Sequence, residues 1–99
     1  MIVGKFFKQP RENKDYDIDY SPWLDTINDT LSEVYTSVEC ITNPEDNSLV
    51  VSDVHRSYDL IKLWLEGGTA GERYKVTITV HTNKERIDEN ELIFTIKDF

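Results

Sequence analysis

The chain has 99 residues, of which 11 are Lys or Arg and 19 are Asp or Glu, so its formal net charge is −8. This length indicates one domain with a modest core, and the acidic charge argues against nucleic acid and anionic membranes as partners. A single cysteine, Cys40, excludes an intrachain disulfide and a cysteine-rich zinc site. No apolar stretch approaches the roughly 20 residues of a membrane span, and we expect no secretory signal in residues 1–14.

The N-terminal segment is predicted to be an arm or a lead-in strand of a single domain that spans residues 1–99. Phe6 and Phe7 are adjacent within residues 1–14, so an extended backbone points one of the two rings outward. Such an arm either docks on another protein as a strand or folds back onto its own domain. Both alternatives stay open at this point.

The first half of the chain predicts three further strands of unequal clarity. Residues 15–20 alternate aspartates with Tyr and Ile, the pattern of a half-buried strand. Residues 21–30 are interpreted as a short irregular turn, and residues 31–41 as a weaker strand rich in β-branched side chains. Residues 43–47, Asn-Pro-Glu-Asp-Asn, favour a turn, and another weak strand is expected in residues 48–55.

The second half carries the strongest strand patterns. Apolar residues occupy alternate positions in residues 61–65, 74–81 and 92–96. Ile87 is out of phase with the last of these strands, so either it faces outward or a bulge lies between Asp88 and Glu91. In total we expect an all-β fold of about seven short antiparallel strands, which is typical of a sandwich or a small barrel.

The loop before the strongest strand favours an immunoglobulin-like β-sandwich. Three of the four glycines, Gly67, Gly68 and Gly71, lie in this loop, and Tyr74 begins the strand that follows. In immunoglobulin-like domains a Tyr at this place closes a corner by bonding its hydroxyl to the backbone a few residues upstream. The alternative is a core aromatic residue whose hydroxyl simply reaches the edge of the core.

Aromatic residues are the best candidates for contacts with other proteins. If alternate residues 61–65 face the core, then Leu60 and Trp64 face away from it, and a large apolar residue on an outer face suggests burial by a partner. The opposite alignment, with Trp64 inward, is also possible. Trp23 follows a turn and could cap one end of the core. The candidate interface residues are therefore Leu60, Trp64, Phe6, Phe7 and Trp23.

The sequence offers no catalytic constellation, and we expect no enzyme, no cofactor and no metal site. Nucleophile motifs and phosphate-binding glycine loops are absent. His55 and His81 lie in different predicted strands without ligand spacing. The aspartates of residues 15–19 lie on one face of a strand, but a straight strand spreads carboxylates that calcium needs to converge. We interpret them as a solvated face that resists aggregation.

Two segments resemble the fibre–tail adaptor family of small tailed-bacteriophage structural proteins. The first is Asp-Tyr-Asp-Ile-Asp-Tyr-Ser-Pro-Trp-Leu at residues 15–24, preceded by Phe-Lys-Gln-Pro at residues 7–10. The second is Leu-Trp-Leu-Glu-Gly-Gly-Thr-Ala-Gly-Glu-Arg-Tyr-Lys-Val-Thr at residues 63–77. The resemblance spans most of residues 7–97. Residues 42–57 depart from the family pattern because they are longer, more acidic and poorer in Gly and Thr.

The resemblance implies a non-enzymatic virion protein with an immunoglobulin-like fold. Such a protein would act as an adaptor at the tail or neck, linking fibres or neighbouring tail proteins, in multiple copies within a symmetric assembly. It would be made in the host cytoplasm. Two other classes stay open: a carbohydrate- or surface-binding module in which Trp64 stacks on sugar rings, and a calcium-dependent module that uses the aspartates of residues 15–19.

Overall fold

The computed structural model describes residues 2–98, which form seven strands and one short helix. The elements are β1 (Ile2–Lys8), β2 (Lys14–Asp19), α1 (Ser21–Ile27), β3 (Leu31–Cys40), β4 (Leu49–Arg56), β5 (Leu60–Gly67), β6 (Arg73–Thr82) and β7 (Ile87–Ile96). The all-β prediction is confirmed, because strands dominate the described chain.

The strands form two sheets that pack face to face as a sandwich. One sheet has the order β1-β7-β6-β3 and the other the order β2-β5-β4. All pairs are antiparallel except β1 and β7, which run parallel. The three-strand orders β3-β6-β7 and β2-β5-β4 follow those of the C-F-G and B-E-D strands of immunoglobulin domains, whereas β1 joins the sheet of β7. The immunoglobulin-like assignment itself stays a prediction.

Both sheets contribute alternate residues to one core. The even-numbered apolar residues of β6 and β7 and the odd-numbered apolar residues of β5 are buried, as their alternation predicts. A cluster of three aromatic rings joins the sheets near β1. The Phe94 ring centroid lies 5.3 Å from that of Phe6 and 4.9 Å from that of Tyr16, so β7, β1 and β2 meet at this point.

In the last hairpin Ile87 faces outward and the pairing contains no bulge, which is the first of the two alternatives that the sequence left open. Ile87 faces outward with 65% of its surface exposed. The pairing of β6 with β7 runs without a register shift from Arg73 opposite Thr95 to His81 opposite Ile87. Asn90 therefore lies on the inner face, where it is buried.

Residues 21–27 form a helix, α1, and the prediction of an irregular turn was wrong. Pro22 lies in the first turn, where its missing N–H and fixed φ suit a helix. Asn28 ends the helix in the left-handed conformation, at φ 51°, and its backbone N–H bonds to the carbonyl of Leu24. The helix has only seven residues, and Leu24 is the only one of them that is buried. An apolar period therefore does not appear in the sequence.

The glycine-rich loop between β5 and β6 closes on the hydroxyl of Tyr74. The Thr69 N–H donates a hydrogen bond to this oxygen over 2.8 Å, and the Ser48 hydroxyl lies 3.1 Å from it. The ring of Tyr74 is fully buried. The loop glycines adopt positive φ angles, which glycine reaches at the lowest cost: Gly67 (82°), Gly68 (99°) and Gly71 (90°).

Replacing Tyr74 with Phe should lower the free energy of unfolding by about 1 to 3 kcal/mol, because the Thr69 N–H loses its acceptor. Chemical denaturation of the isolated chain measures this loss. Tyr20→Phe is a matched control, since the Tyr20 hydroxyl is buried without a hydrogen-bond partner among the described residues and should cost little. Equal stability of Tyr74→Phe and the wild type would show that the corner bond adds nothing.

A buried lysine ties the end of β1 to the same loop. The Lys8 ammonium donates hydrogen bonds to the backbone carbonyls of Gly67 and Gln9 over 2.6 and 2.9 Å, and the whole residue is buried. Burial lowers the pKa of Lys8, and the nearby charges of Glu12 and Glu66 offset part of that effect. This contact fixes β1 on the domain.

Asp29 holds the loop between β6 and β7 against the start of β3. Its carboxylate accepts hydrogen bonds from the backbone N–H groups of Thr30 and Lys84, and it lies 3.0 Å from a guanidinium nitrogen of Arg86. Burial raises the pKa of Asp29, but these hydrogen bonds and one from Thr82 outweigh burial, so the pKa lies below its ordinary value.

The protein should lose stability in acid as the pH falls below about 4. The pKa values of Asp29 and Asp46 are depressed by folding, the second because Ser48 donates hydrogen bonds to its carboxylate. Their stabilisation is complete above the ordinary Asp pKa of 3.8 and disappears as the pH falls through the folded-state values. Denaturation midpoints measured between about pH 7 and pH 3 check this. Asp29→Asn should show a shallower decline than the wild type, and identical slopes would contradict the assignment.

Candidate interaction surfaces

Trp64 lies on the outer face of the β2-β5-β4 sheet. Its strand neighbours Leu63 and Leu65 are fully buried in the core, so alternation directs Trp64 and Leu60 to the opposite side. Both outward residues are half-buried. Of the two alignments left open by the sequence, the structure has the one with Trp64 outward.

Carboxylates surround this tryptophan on both sides. Asp15 of β2 and Asp53 of β4 are the residues paired with Trp64 across the sheet. The ammonium of Lys62 lies 3.2 Å from the carboxylate of Asp15 and 3.8 Å from that of Asp17, so these aspartates pair with a cation of the same face. We call this surface the Trp64 face. Within residues 2–98 no group of three or more His, Cys, Asp or Glu side chains is placed to hold a metal ion.

The outer face of the other sheet exposes Phe7. In β1 the ring of Phe6 packs against the core and that of Phe7 points out, with 61% of its surface exposed. The ammonium of Lys97 lies 4.8 Å from the centroid of the Phe7 ring. A groove of about 450 Å³ runs beside this ring and is lined by both apolar and basic side chains, among them Ile2, Lys5, Ile41, Arg73 and Ile93. We call this surface the Phe7 face.

The two faces lie on opposite sides of the sandwich and differ in chemistry. The Trp64 face is acidic around one large aromatic ring. The Phe7 face combines exposed apolar side chains with lysine and arginine, although the chain as a whole carries a net charge of −8. A domain built in this way offers two surfaces that suit different partners.

The five candidate interface residues do not form one surface. Leu60 and Trp64 share the Trp64 face, and Phe7 lies on the opposite face. Phe6 is half-buried and packs against the core beside Tyr16 and Phe94, because β1 pairs with β7 of its own domain. Phe6 therefore supports the fold, while the half-buried remainder of its ring lines both grooves of the domain. Trp23 lies on α1 and packs against the end of the core.

A groove between α1, β1 and β7 was not expected from the sequence. Its volume is about 390 Å³, and residues from three distant parts of the chain line it: Val3, Phe6, Asp17, Ile18, Asp19, Tyr20, Pro22, Trp23, Asp88, Asn90 and Leu92. Burial, with a smaller contribution from the charge of Asp88, raises the pKa of Tyr20 to about 12. The alternating aspartates of β2 were visible in the sequence, but their meeting with β7 depends on the parallel pairing of β1 and β7.

Comparison with known proteins places the chain among phage tail proteins. The family model Gp77, described as podophage GP4 fiber-tail adaptor protein gp77, matches residues 8–95. A search of curated proteins found no match. Within residues 2–98, no helix has the length and the apolar character that crossing a membrane requires.

Proposed function

We propose a structural role in the virion for this chain, which belongs to the Gp77 family of podophage fibre–tail adaptor proteins. In this role the domain catalyses no reaction and links fibres, or neighbouring tail proteins, to the tail or neck. The family match over residues 8–95 is the observation that carries the proposal.

The two outer faces support an adaptor that holds different partners on its two sides. An acidic surface around Trp64 favours a partner that brings basic side chains, whereas the Phe7 face favours a partner with apolar and acidic side chains. Large aromatic residues are the commonest anchors of protein interfaces. Trp64 and Phe7 are therefore the residues most suited to anchor each partner.

The acidic charge fits a subunit that stays soluble before assembly. A net charge of −8 makes free copies repel one another and disfavours binding to nucleic acid or anionic membranes. We propose that the chain is made in the host cytoplasm and enters the virion in multiple copies within a symmetric assembly. Contacts with partners then outweigh the repulsion.

Replacing Trp64 with Ala should separate assembly from folding. Because Trp64 is half-buried on an outer face, the melting temperature of the isolated chain should change little. Loss of an interface tryptophan costs about 2 kcal/mol or more, so binding to the partner and incorporation into particles should weaken by roughly 30-fold. Thermal melts and quantitative mass spectrometry of purified particles measure the two effects.

Tyr58→Ala is a matched control, because Tyr58 is a more exposed aromatic residue in the turn between β4 and β5. It should assemble normally. A loss of about 3 to 5 kcal/mol of folding stability in Trp64→Ala would indicate a core residue instead. A stable Trp64→Ala variant that enters particles at the normal level would exclude this residue as an anchor.

A further inference from the structure

We propose that the outer face of the β1-β7-β6-β3 sheet binds a second copy of this chain, with the strands of the two copies antiparallel. The inference rests on the proposed adaptor function, because it names the partner of the Phe7 face. That face favours a partner with apolar and acidic side chains, and the opposite end of the same sheet carries both kinds. Two copies related by a two-fold axis would therefore satisfy each other.

Charges of opposite sign occupy opposite ends of this outer face. Cations gather on the Phe7 face, where β6 begins: Lys5, Arg73, Lys75 and Lys97. Carboxylates gather where β7 begins, at what we call the acidic end: Glu33, Glu89 and Glu91. Among residues 2–98, the strands place one carboxylate, Glu39, among the cations and no lysine or arginine at the acidic end.

These charges are largely left without an ion-pair partner in their own domain. Among residues 2–98, only Lys75 of the seven forms an ion pair, with Glu39 over 3.8 Å. Glu33 accepts a hydrogen bond from the hydroxyl of Tyr35, which is a neutral partner. A second copy can therefore pair these charges without breaking existing ion pairs, and such complementarity fixes the register of an interface.

Exposed apolar side chains are concentrated on the same outer face. Within residues 2–98, five of the eight large apolar residues that are exposed lie there, so this face has the most apolar surface to bury. Ile2, Phe7 and Ile41 lie at the end of the cations, and Tyr35 and Ile87 lie at the acidic end. Each end thus combines apolar side chains with charges of one sign.

The middle of the face allows two sheets to approach closely. Small uncharged side chains lie between the two ends: Ser37, Thr77 and Thr79. A two-fold axis that lies in the plane of the interface and crosses the strands here places the Phe7 face of each copy over the acidic end of the other. Each contact then forms twice. Both Trp64 faces stay on the outside of the dimer, available to another partner.

The size of the face predicts a weak but specific dimer. Ten-residue strands are about 33 Å long and lie about 4.8 Å apart, so a four-stranded face covers on the order of 600 Å² per copy. That footprint is at the low end for specific interfaces, and the net charge of −8 on each copy opposes association. We therefore expect a dissociation constant on the order of 10 μM.

Sedimentation velocity of the full chain over a range of concentrations tests the proposal directly. We expect a closed equilibrium between monomer and dimer. A chain that stays monomeric up to about 1 mM would overturn the proposal. Rings or open polymers would also overturn it, because they require contact between different faces of successive copies.

Charge reversal at each end identifies the interface. Lys5→Glu with Arg73→Glu makes both ends acidic, and Glu33→Lys with Glu89→Lys makes both ends basic. Each double variant should associate with itself about tenfold more weakly than the wild type or worse, because like charges then face each other. An equimolar mixture of the two should form a heterodimer with a dissociation constant within about threefold of that of the wild type, since every contact again joins opposite charges. Absence of this heterodimer, with both variants folded by circular dichroism, would overturn the proposal.

Asp53→Lys is the matched control, because it reverses a carboxylate of the Trp64 face. Its dimerisation should equal that of the wild type. Weakened association in Asp53→Lys, with no effect of Glu33→Lys and Glu89→Lys, would show that the Trp64 face of one copy contacts the Phe7 face of the next. That result would overturn the proposed dimer.

The solution measurements separate this inference from the adaptor function. Dimerisation of a chain that is absent from virions would contradict the adaptor role and leave the dimer standing. A chain on which fibre attachment depends, but that shows no self-association in solution, would contradict the dimer alone.

Discussion

Replacing Gly67 with Ala should lower the free energy of unfolding by about 3 kcal/mol or more. Gly67 has a φ of 82°, and a Cβ atom built on it would lie 2.3 Å from the backbone carbonyl oxygen of Ser48. Both the backbone conformation and the contact are unfavourable for alanine, and the contact cannot be relieved by turning a side chain. Denaturant titration of the isolated variant measures the loss.

Gly71→Ala is the matched control for this effect. Gly71 has a similar φ of 90°, but a Cβ atom there would meet no other atom within 4 Å. Its replacement should cost about 1 to 2 kcal/mol, from the left-handed backbone alone. Equal losses in the two variants would show that the approach of Ser48 to Gly67 has no energetic consequence.

Replacing Phe94 with Ala should cost about 3 to 5 kcal/mol, the second large effect. Phe94 is fully buried and packs between the rings of Phe6 and Tyr16, where the two sheets meet. Alanine would leave a cavity that three separate strands would have to close. Thermal and chemical denaturation give the loss, and near-ultraviolet circular dichroism reports the packing of the remaining rings.

Phe7→Ala provides the comparison for Phe94. Phe7 lies on the partner strand of β7 but points outward, so its truncation should change stability by no more than about 0.5 kcal/mol. A large loss in Phe7→Ala would mean that the contact with Lys97 stabilises the fold. A small loss in Phe94→Ala would mean that the aromatic cluster is not what joins the sheets.

Strict alternation made the central strands predictable. Residues 74–81 and 92–96 show apolar side chains at every second position, and the structure buries each of them. The helix at residues 21–27 was missed because only Leu24 of its seven residues is buried, so no helical period appears. The outward orientation of Ile87 needed the pairing of β6 with β7, which the sequence alone left as one of two alternatives.

Interaction surfaces were predictable only where one strand decides the direction of a side chain. The alternation of β5 directs Trp64 away from the core, although the acidic neighbours Asp15 and Asp53 come from other strands. The full burial of Lys8 had no signal, because lysine is among the residues least often buried. The groove between α1, β1 and β7 likewise depends on tertiary structure, since Asp88 meets the residues of β2 and α1 only in the folded domain.

The fibre content of particles assembled without this chain tests the adaptor role most directly. Phage produced from a genome with an early stop codon in this gene can be purified, and each structural protein can be quantified by mass spectrometry, with wild-type particles as the reference. The account predicts particles that retain their heads but lack fibres, and restoration of the fibres when the wild-type chain is supplied in trans. Particles that lack this chain but carry the normal complement of fibres would contradict it.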